Sequence, residues 1–397
     1  MIKILLISPH IKKDMIGGAE KSFINISDGL KKNKDFQVET YFGSVKNIIK
    51  RTLGRFGIGY YLLIPKIIIL IRNFKPDVII TQTRIAFATI ISALVNKVPV
   101  INIVRDTSDI CPKNVDIINY GEACPGLVNK KICYECINYW RTLRILIGNK
   151  PKEWQYSLNS SLSTILYKTK YFLCKFTLFL INHATINLVA SDLMKNIVSE
   201  NVNPNKIVVK KITPIRDTNI VISPIKKENQ LLFIIPSYEA SYKGLDFVLK
   251  LSQFIPENYK IVIVGGIIPI DKIKDKNSRI TNYGRVETKN LNVLYQNSVI
   301  TLVPSFSTEA FGRVVIESIL NKTQVITSQN CGVNSFFKDK EFLKVLPIKL
   351  DLWIKQVKEM IEKPTKITDD DVHEVYSQFS TEEFIKEFSI LIKKIAE

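Results

Sequence analysis

The sequence predicts an α/β protein made of two successive Rossmann-like domains, each built on a parallel sheet. Short β-branched and aliphatic runs alternate with segments whose apolar residues follow helical spacing. This pattern is typical of buried parallel strands joined by helices. The alternation occurs once before and once after a polar stretch at 217–230, so we expect two sheets. The chain has 397 residues, and at roughly 100–200 residues per domain this length accommodates both.

The first alternation contains five predicted strands and three predicted helices. The strands are residues 2–8, 36–43, 77–81, 98–104 and 186–190. The helices are residues 19–32, 85–95 and 153–182. Between them, a segment of about 106–152 breaks the rhythm and carries four of the six cysteines. We interpret this Cys-rich segment as an insertion into the first domain.

The second alternation starts after the polar stretch. Its predicted strands are residues 231–237, 260–265, 299–304 and 324–327. Its predicted helices are residues 244–253, 289–297 and 311–321. The chain ends in the amphipathic sequence TEEFIKEFSILIKKIAE, whose acidic first turn favours a helix start. We therefore divide the chain into domains 1–220 and 221–378 and a final helix at 379–397.

The positive charge of the chain is concentrated in its first half. The whole sequence has 56 Lys and Arg against 37 Asp and Glu. Residues 1–220 hold 32 basic and 15 acidic side chains, whereas residues 221–397 hold 24 and 22. Such an asymmetry indicates that the first domain meets an acidic partner, such as a membrane surface, a phosphorylated substrate or a nucleic acid.

The composition excludes several classes of protein. Hydrophobic residues make up 46% of the chain, and the 16 Gly and 16 Pro are too few for a fibrous or disordered protein. No stretch of about 18 residues is apolar enough to span a membrane. The start MIKILLISPH enters a strand pattern directly and lacks the layout of a signal peptide. We expect a cytoplasmic protein.

The most specific motif is EAFGRVVIE, from Glu309 to Glu317, which follows a predicted strand. A strand, a polar loop, Gly312 and a helix start place backbone N–H groups where an anion such as a diphosphate can bind. Glu309 in the loop and Glu317 in the helix can accept hydrogen bonds from sugar hydroxyls. A solvated loop glutamate and an ordinary helix glutamate are the alternative interpretation.

Two further loops have the same setting. Tyr-Lys-Gly at 242–244 follows one predicted strand, and Lys243 is placed to meet a phosphate as a point charge. Gly17 and Gly18 follow the first strand and precede a helix. One such loop is weak evidence because glycines are common in turns. Three of them, at the ends of strands in both domains, favour a phosphorylated ligand.

Together, GGAEKS near the start, the central Lys-Gly and EAFGRVVIE resemble glycosyltransferase family 4. These are retaining enzymes that use nucleotide sugars. The resemblance extends over essentially the whole chain. It implies the GT-B fold, in which two Rossmann-like domains face each other across a cleft and the C-terminal helix crosses back to the N-terminal domain.

The resemblance also implies roles for individual residues. Glu309 would contact hydroxyls of the donor sugar, Glu317 the ribose and Lys243 the diphosphate. Further donor-binding positions would be the backbone of Phe311, Gly312 and Arg313, the loop of Gly17 and Gly18, and Val286 at the nucleobase. The leaving diphosphate would be stabilised by Lys243 and the N–H groups around Gly312. No catalytic metal is implied.

Two positions depart from the family pattern. Tyr238 stands where an arginine often precedes the lysine by five residues, and Arg105-Asp106 stands where many members have His-Asp. We include Arg105 and Asp106 among the candidate catalytic residues, because Arg105 supplies a positive charge where the histidine is missing.

The insertion contains a possible zinc site. Cys111, Cys124, Cys133 and Cys136 end in the closely spaced pair CYEC, and four thiolates make a closed structural zinc site. The alternative is four unrelated thiols in a loop.

We therefore expect a transferase that moves a sugar from a UDP-, GDP- or ADP-linked donor to a glycan or polyprenyl-linked acceptor in cell-surface polysaccharide biosynthesis. A GT-B nucleotide-sugar epimerase and a basic nucleic-acid-binding protein are the alternatives. No readable nucleic-acid motif accompanies the basic residues, so we expect no nucleic-acid partner.

A segment of the first domain also favours contact with an anionic membrane. Residues 46–72 mix six Lys and Arg with apolar side chains, as in segments that lie on a bilayer. The alternative is that Leu62, Ile67, Leu70 and Ile71 pack against the sheet while the charges remain in water.

Overall fold

The computed structural model describes most of the chain. The described residues are 1–9, 18–44, 58–107, 160–212, 227–236, 240–269 and 279–397, with 110–111, 117–118, 122–124, 131 and 133 between them. They fall into two compact units. Unit 1 comprises residues 1–119, 124–214 and 381–397, and unit 2 comprises residues 120–123 and 215–380.

Unit 1 contains a six-stranded parallel sheet. Its strands are β1 (Ile2–Pro9), β2 (Phe36–Gly43), β3 (Val78–Gln82), β4 (Val100–Val104), β7 (Ile186–Val189) and β8 (Ile207–Val209). They lie in the order β2-β1-β3-β4-β7-β8. The centre of β1 and all of β3 and β4 are buried, as expected for strands covered on both faces. Two short strands lie outside the six-stranded sheets, β5 (Ile117–Ile118) in unit 1 and β6 (Glu122–Ala123) in unit 2.

Five helices precede or follow these strands, and a sixth returns from the end of the chain. They are α1 (Gly18–Lys32), α2 (Ile64–Phe74), α3 (Ile85–Asn96), α4 (Ser160–His183), α5 (Asp192–Ser199) and, at the C-terminus, α11 (Thr381–Ala396). A short 3-10 helix at Ile58–Leu63 leads into α2. Ile67 and Ile71 of α2 join the core formed by Leu5, Ile79 and their neighbours.

Unit 2 repeats the architecture. Its strands are β9 (Gln230–Ile235), β10 (Lys260–Gly265), β11 (Ile280–Gly284), β12 (Ile300–Val303), β13 (Gln324–Ser328) and β14 (Leu343–Leu346). All are parallel, in the order β11-β10-β9-β12-β13-β14. Its helices are α6 (Leu245–Leu251), α7 (Thr288–Asn297), α8 (Arg313–Leu320), α9 (Leu350–Glu362) and α10 (Asp369–Phe379).

The last helix, α11, packs on α1 of unit 1. Gly29 of α1 leaves room for Ile385, because a Cβ at Gly29 would lie 2.5 Å from the Ile385 side chain. Asn33 donates a hydrogen bond to Ser389 (3.3 Å), and Lys393 pairs with Asp35. The predicted fold class, two parallel α/β domains with a C-terminal helix that returns to the first, is thus confirmed.

Several elements were not predicted. They are strands β8, β11 and β14 and helices α2, α5, α9 and α10. Polar residues interrupt β11, whose burial alternates irregularly, so its sequence lacks the apolar run of a central strand. Helix α10 begins with a capping box between Thr368 and Asp371, a signal that sequence inspection could have used.

None of the helices formed by the described residues is both long enough and apolar enough to cross a membrane.

Candidate active site

The candidate site of unit 2 lies where the strand order reverses. Strand β9 has β10 on one side and β12 on the other, so the connections after β9 and β12 leave the sheet in different directions. In open parallel sheets, ligands bind in the crevice at the carboxyl ends of such strands. Lys243 follows β9 and Glu309 follows β12, and both sequence-predicted residues therefore come to this edge.

The backbone holds Lys243 close to the loop after β12. Lys243 ends a 3-10 turn, Ser241–Lys243, and Gly244 follows with φ of 91°. A Cβ at Gly244 would lie 2.4 Å from the carbonyl oxygen of Pro304. Phe306 N–H also donates to the Tyr242 carbonyl at 2.8 Å. A glycine is thus required for the two loops to approach each other.

Glu309 is fixed from the opposite side. Its N–H donates to the Asn330 carbonyl, and its carbonyl accepts from Gly332 N–H, both at 2.8 Å. The Asn330 side chain donates to the carbonyls of Ser305 and Phe306. The loop after β12 is therefore tied to the loop after β13, which limits the positions that the Glu309 carboxylate can take.

Lys243 and Glu309 form an ion pair through Nζ and Oε1. Ser305 Oγ donates to the same carboxylate oxygen at 2.7 Å. Lys243 and Glu309 retain 22% and 19% of their side-chain exposure, so a ligand can reach both. The structure thus brings these two candidate residues into direct contact.

The pair stabilises the charged form of both residues. Burial alone would lower the pKa of Lys243, but the charge and hydrogen bond of Glu309 outweigh it and raise that pKa. Burial would raise the pKa of Glu309, yet Lys243 and Ser305 hold it below its ordinary value. Burial, with the nearby Glu309 charge, raises the pKa of the Cys331 thiol to about 12, so this cysteine remains a neutral packing group.

Gly312 opens helix α8 with φ of 95°. A Cβ there would lie 2.5 Å from Cys331 Sγ, so a larger residue would displace the loop. The helix start is an anion-favouring position because its first N–H groups have no partner within the helix. Phe311 points its ring into a cluster with Phe336 and Phe379, which leaves only its backbone to meet a ligand.

Glu317 lies one turn into α8 and accepts from two side chains. Tyr295 Oη donates to Oε2 at 3.1 Å, and Arg313 Nη2 lies 3.3 Å from Oε1. Tyr295 is fully buried, and burial together with the Glu317 charge raises its pKa well above the ordinary value. The Glu317 side chain keeps 28% of its exposure, so its carboxylate has capacity for a further donor.

Val286 lies just beyond β11 and packs partly buried against a cluster that includes Val262, Val264 and Tyr295. Its backbone therefore follows the carboxyl end of β11, on the side of β9 opposite to Glu309.

The predicted residues of unit 1 have a different setting. Arg105 follows β4 and donates from Nε to Gln82 Oε1 at 2.6 Å. Its Nη1 donates to Ser22 Oγ and to the Ile212 carbonyl, both at 3.1 Å. Gln82 in turn donates to Ser8 at 3.0 Å. Arg105 therefore links β3, α1 and the segment that follows β8, while the neighbouring Asp106 side chain is exposed.

The structure describes the glycine loop of unit 1 and the four cysteines only in part. Gly18 begins α1, whereas Gly17, Tyr238 and Cys136 lie outside the described residues. Cys111 and Cys133 are buried and Cys124 is half-buried. Within the described part of the chain, no three His, Cys, Asp or Glu side chains gather as metal ligands. With the fourth cysteine not described, the zinc site stays a prediction.

Three residues of the site were missed in the sequence. Ser305 binds Glu309, Asn330 holds the loop, and Tyr295 binds Glu317. Ser305 follows a strand end, which is a usable signal. Nothing local in the sequence relates Tyr295 or Asn330 to glutamates on other elements.

Residues 216–376 match the family model described as Glycosyl transferases group 1. This match covers nearly all of unit 2, including Lys243, Glu309 and Glu317. That part of the chain is a glycosyl transferases group 1 domain, and the predicted enzyme class, a glycosyltransferase, is confirmed at this level. No curated protein sequence matches the chain.

Solved structures of the GT-B type resemble the chain over its full length. Sucrose-phosphate synthase from Thermosynechococcus elongatus has a TM-score of 0.67 at 13% identity, covering 100% of this chain and 99% of that chain. Anabaena Alr3699/HepE in complex with UDP has a TM-score of 0.64 at 13% identity, covering 99% and 100%. The lipopolysaccharide outer core galactosyltransferase WaaB, apo form, has a TM-score of 0.64 at 12% identity, covering 99% of each chain. At these identities the likeness shows the fold alone.

Proposed function

We propose that this protein is a retaining glycosyltransferase of family 4 that moves a sugar from a nucleotide-sugar donor to a glycan or lipid-linked glycan. The observation that carries the proposal is the Lys243–Glu309 pair at the point where the sheet order of unit 2 reverses. It supplies one cation for a diphosphate and one carboxylate for sugar hydroxyls, in a group 1 domain.

Lys243 would act on the leaving group. When the bond between the sugar and the nucleotide breaks, negative charge grows on the β-phosphate. The Lys243 ammonium, whose pKa is raised, stays positive at neutral pH and stabilises that charge. The first N–H groups of α8, after Gly312, provide a second source of positive potential. These groups need no divalent metal for this step, and we propose a metal-independent reaction.

The two glutamates would orient the donor. Glu309 accepts hydroxyls of the transferred sugar, and Glu317 accepts those of the ribose. Tyr295 and Arg313 position the Glu317 carboxylate for this role. Val286 would offer its backbone to the nucleobase, and the Gly17–Gly18 loop would close on the donor. A uridine nucleotide is our first choice of donor, because the Anabaena neighbour was solved with UDP.

Unit 1 would serve the acceptor. We propose that Arg105 and Asp106 lie beside the reacting hydroxyl, with Arg105 held by its bonds to Gln82 and Ser22. The excess positive charge of residues 1–220 suits an acceptor at an anionic membrane. The protein would then be a peripheral enzyme on the cytoplasmic face of the membrane that builds cell-surface polysaccharide.

A panel of UDP-, GDP- and ADP-sugars tests this proposal by thermal stabilisation and by product analysis. A bound donor raises the melting temperature by mass action. We expect one nucleotide class to stabilise the protein, and transfer to an added glycan acceptor with the donor's anomeric configuration in the product. Transfer should survive a chelator. An epimerised nucleotide sugar formed without acceptor, or salt-sensitive DNA binding with no nucleotide effect, would replace the proposal with one of its alternatives.

A further inference from the structure

Helix α4 of unit 1 exposes three phenylalanines on one face. Phe172, Phe176 and Phe179 are 64%, 44% and 57% exposed. Their spacing of four and three residues places them on a single side of the helix. Tyr171, Cys174 and Leu178 on the other side are buried. The helix is therefore apolar on both faces, and only one of them is covered by the unit itself.

The exposed face continues onto the 3-10 helix before α2. The Phe176 and Phe179 rings lie 6.3 Å apart, and the Tyr61 ring lies 6.4 Å from Phe176. Leu62, next to Tyr61, is 59% exposed. We name these side chains, Tyr61, Leu62, Phe172, Phe176 and Phe179, the aromatic patch. Contiguous exposed apolar surface of this kind marks a binding surface rather than ordinary solvent-facing residues.

The surroundings of the aromatic patch carry charge of one sign. Residues 58–74, 85–96 and 160–183, which form the helices of this region, contain five Lys and Arg and no Asp or Glu. Among them Lys66, Arg72 and Lys175 are exposed. Apolar rings bordered by cations and free of carboxylates complement an anionic lipid surface, where the rings enter the interface and the cations meet headgroups.

We infer that the aromatic patch is the surface by which unit 1 lies on an anionic bilayer. The inference rests on the proposed peripheral location and deepens it by naming the contact. A second copy of the chain is a poorer occupant, because a symmetric contact would bring the same cations together without a carboxylate to pair them.

The location differs from the one that the sequence predicted. Within the predicted segment 46–72, Ile67 and Ile71 are buried in the core, as the alternative interpretation expected, and residues 46–57 are not described. The large apolar side chains that are exposed in its described part are Leu62 and, on α2, Ile69 at 58%. The larger apolar surface is contributed by α4, which the sequence predicted only as a helix.

Vesicle co-sedimentation of the full chain tests the inference. The vesicles are phosphatidylglycerol with phosphatidylcholine, or phosphatidylcholine alone, at low and high salt. The test variant combines Phe172→Ser, Phe176→Ser and Phe179→Ser. A matched control combines Phe254→Ser, Val293→Ser and Ile390→Ser, whose side chains are 47%, 48% and 65% exposed outside the patch. We expect the wild type and the control to bind the anionic vesicles and the test variant to lose about tenfold or more in affinity.

A charge variant separates the contribution of the cations from that of the apolar rings. Lys66→Glu with Lys175→Glu should weaken binding at low salt by about tenfold or more and reduce its salt dependence. UDP-induced thermal stabilisation, measured on the triple phenylalanine variant and on the charge variant, should stay at the wild-type value, since all of their substitutions lie in unit 1. This readout also shows that the variants are folded, and it distinguishes failure of membrane binding from failure of the proposed donor site.

Three outcomes overturn the inference. The first is wild-type binding by the triple phenylalanine variant. The second is equal binding of the wild type to neutral and anionic vesicles. The third is a wild-type dimer, seen by sedimentation velocity, that the phenylalanine substitutions dissociate while vesicles recover no protein, because the patch is then an interface between copies.

Discussion

The two sheets reverse strand order at the same place but put different chemistry there. In each unit the first strand, β1 or β9, lies between the second strand and a later one. At the carboxyl ends in unit 1, Ser8, Gln82 and Arg105 form a hydrogen-bonded chain. In unit 2, Lys243 and Glu309 form an ion pair.

The comparison shows that net charge does not locate a site. Unit 1 contains almost all of the excess positive charge of the chain, yet the arginine at its sheet edge is engaged by three hydrogen bonds. The nearly neutral half contains the lysine that we assign to the diphosphate. Local geometry therefore decides where a charge acts on a ligand. We assign the surplus positive charge of unit 1 to contact with an anionic surface.

The largest effect is expected at the unit 2 edge. Lys243→Ala should lower the turnover of sugar transfer by about a hundredfold or more, because leaving-group charge grows in the transition state. Steady-state kinetics with the preferred donor measure this. Lys250→Ala is the matched control, since Lys250 is an exposed lysine on the neighbouring helix α6. If both variants lost turnover equally, or if neither lost any, Lys243 would have no role in the mechanism.

The unit 1 edge should respond through stability. Arg105→Ala breaks three hydrogen bonds in a half-buried network, which is expected to lower the free energy of unfolding by about 1–3 kcal/mol. Stabilisation by UDP should be unchanged. Urea unfolding with and without UDP measures both quantities. If Arg105→Ala kept wild-type stability but was no longer stabilised by UDP, the donor site would lie in unit 1 and the assignment to unit 2 would be wrong.

Glu309→Gln should affect the binding of UDP and the transfer from a UDP-sugar in opposite directions, which tests the role of the unit 2 edge. Free UDP lacks the transferred sugar whose hydroxyls we assign to Glu309, so in the UDP complex this carboxylate only competes with the diphosphate for Lys243. Removing its charge should strengthen UDP binding by about tenfold or more, on the scale of one hydrogen bond to a charged group. Transfer should decrease because the hydroxyls of the transferred sugar then donate to a neutral amide oxygen in place of a charged carboxylate. Calorimetric titration with UDP checks the first part, and weaker UDP binding by this variant would contradict it.

The smallest effect is that of pH. Glu309 has a pKa below its ordinary 4.5, so its contribution to stability is present above that value and lost as pH falls through the lowered pKa. Lys243 has a pKa above its ordinary 10.5, so its contribution is present below that value and lost as pH rises through the raised pKa. The stability difference between wild type and Glu309→Gln should thus be constant from above pH 4.5 to neutral pH. It should shrink at alkaline pH, because burial lowers the pKa of the unpaired Lys243 in the variant and deprotonation then removes its buried charge. Chemical denaturation at several pH values measures it, and a change near neutral pH would show that the pair titrates there.

Sequence patterns predicted most of the fold because buried parallel strands carry continuous apolar runs. The strand 36–43 was predicted at its observed bounds, and 260–265 likewise. Strand β11 was missed because Thr281, Asn282 and Tyr283 replace such a run. Helix α2 was missed because residues 67–71 form a continuous aliphatic run, in which helical spacing cannot be recognised.

The candidate site was predictable only where local motifs mark it. Lys243, Glu309 and Gly312 follow strands in recognisable loops, and the structure places them at one sheet edge. The hydrogen bonds from Tyr295 to Glu317 and from Asn330 to Ser305 join residues that are 22 and 25 positions apart in the sequence. Such partners depend on how helices and loops pack, which no local spacing encodes. The exposed face of α4 was not predicted for the same reason.

The most direct test of the central claim is a crystal structure of the protein with UDP. We predict the diphosphate within hydrogen-bonding distance of Lys243 Nζ and the start of α8, with the ribose at Glu317 and the Lys243–Glu309 pair opened. UDP bound beside Ser8, Gln82 and Arg105, or away from both sheet edges, would contradict the account.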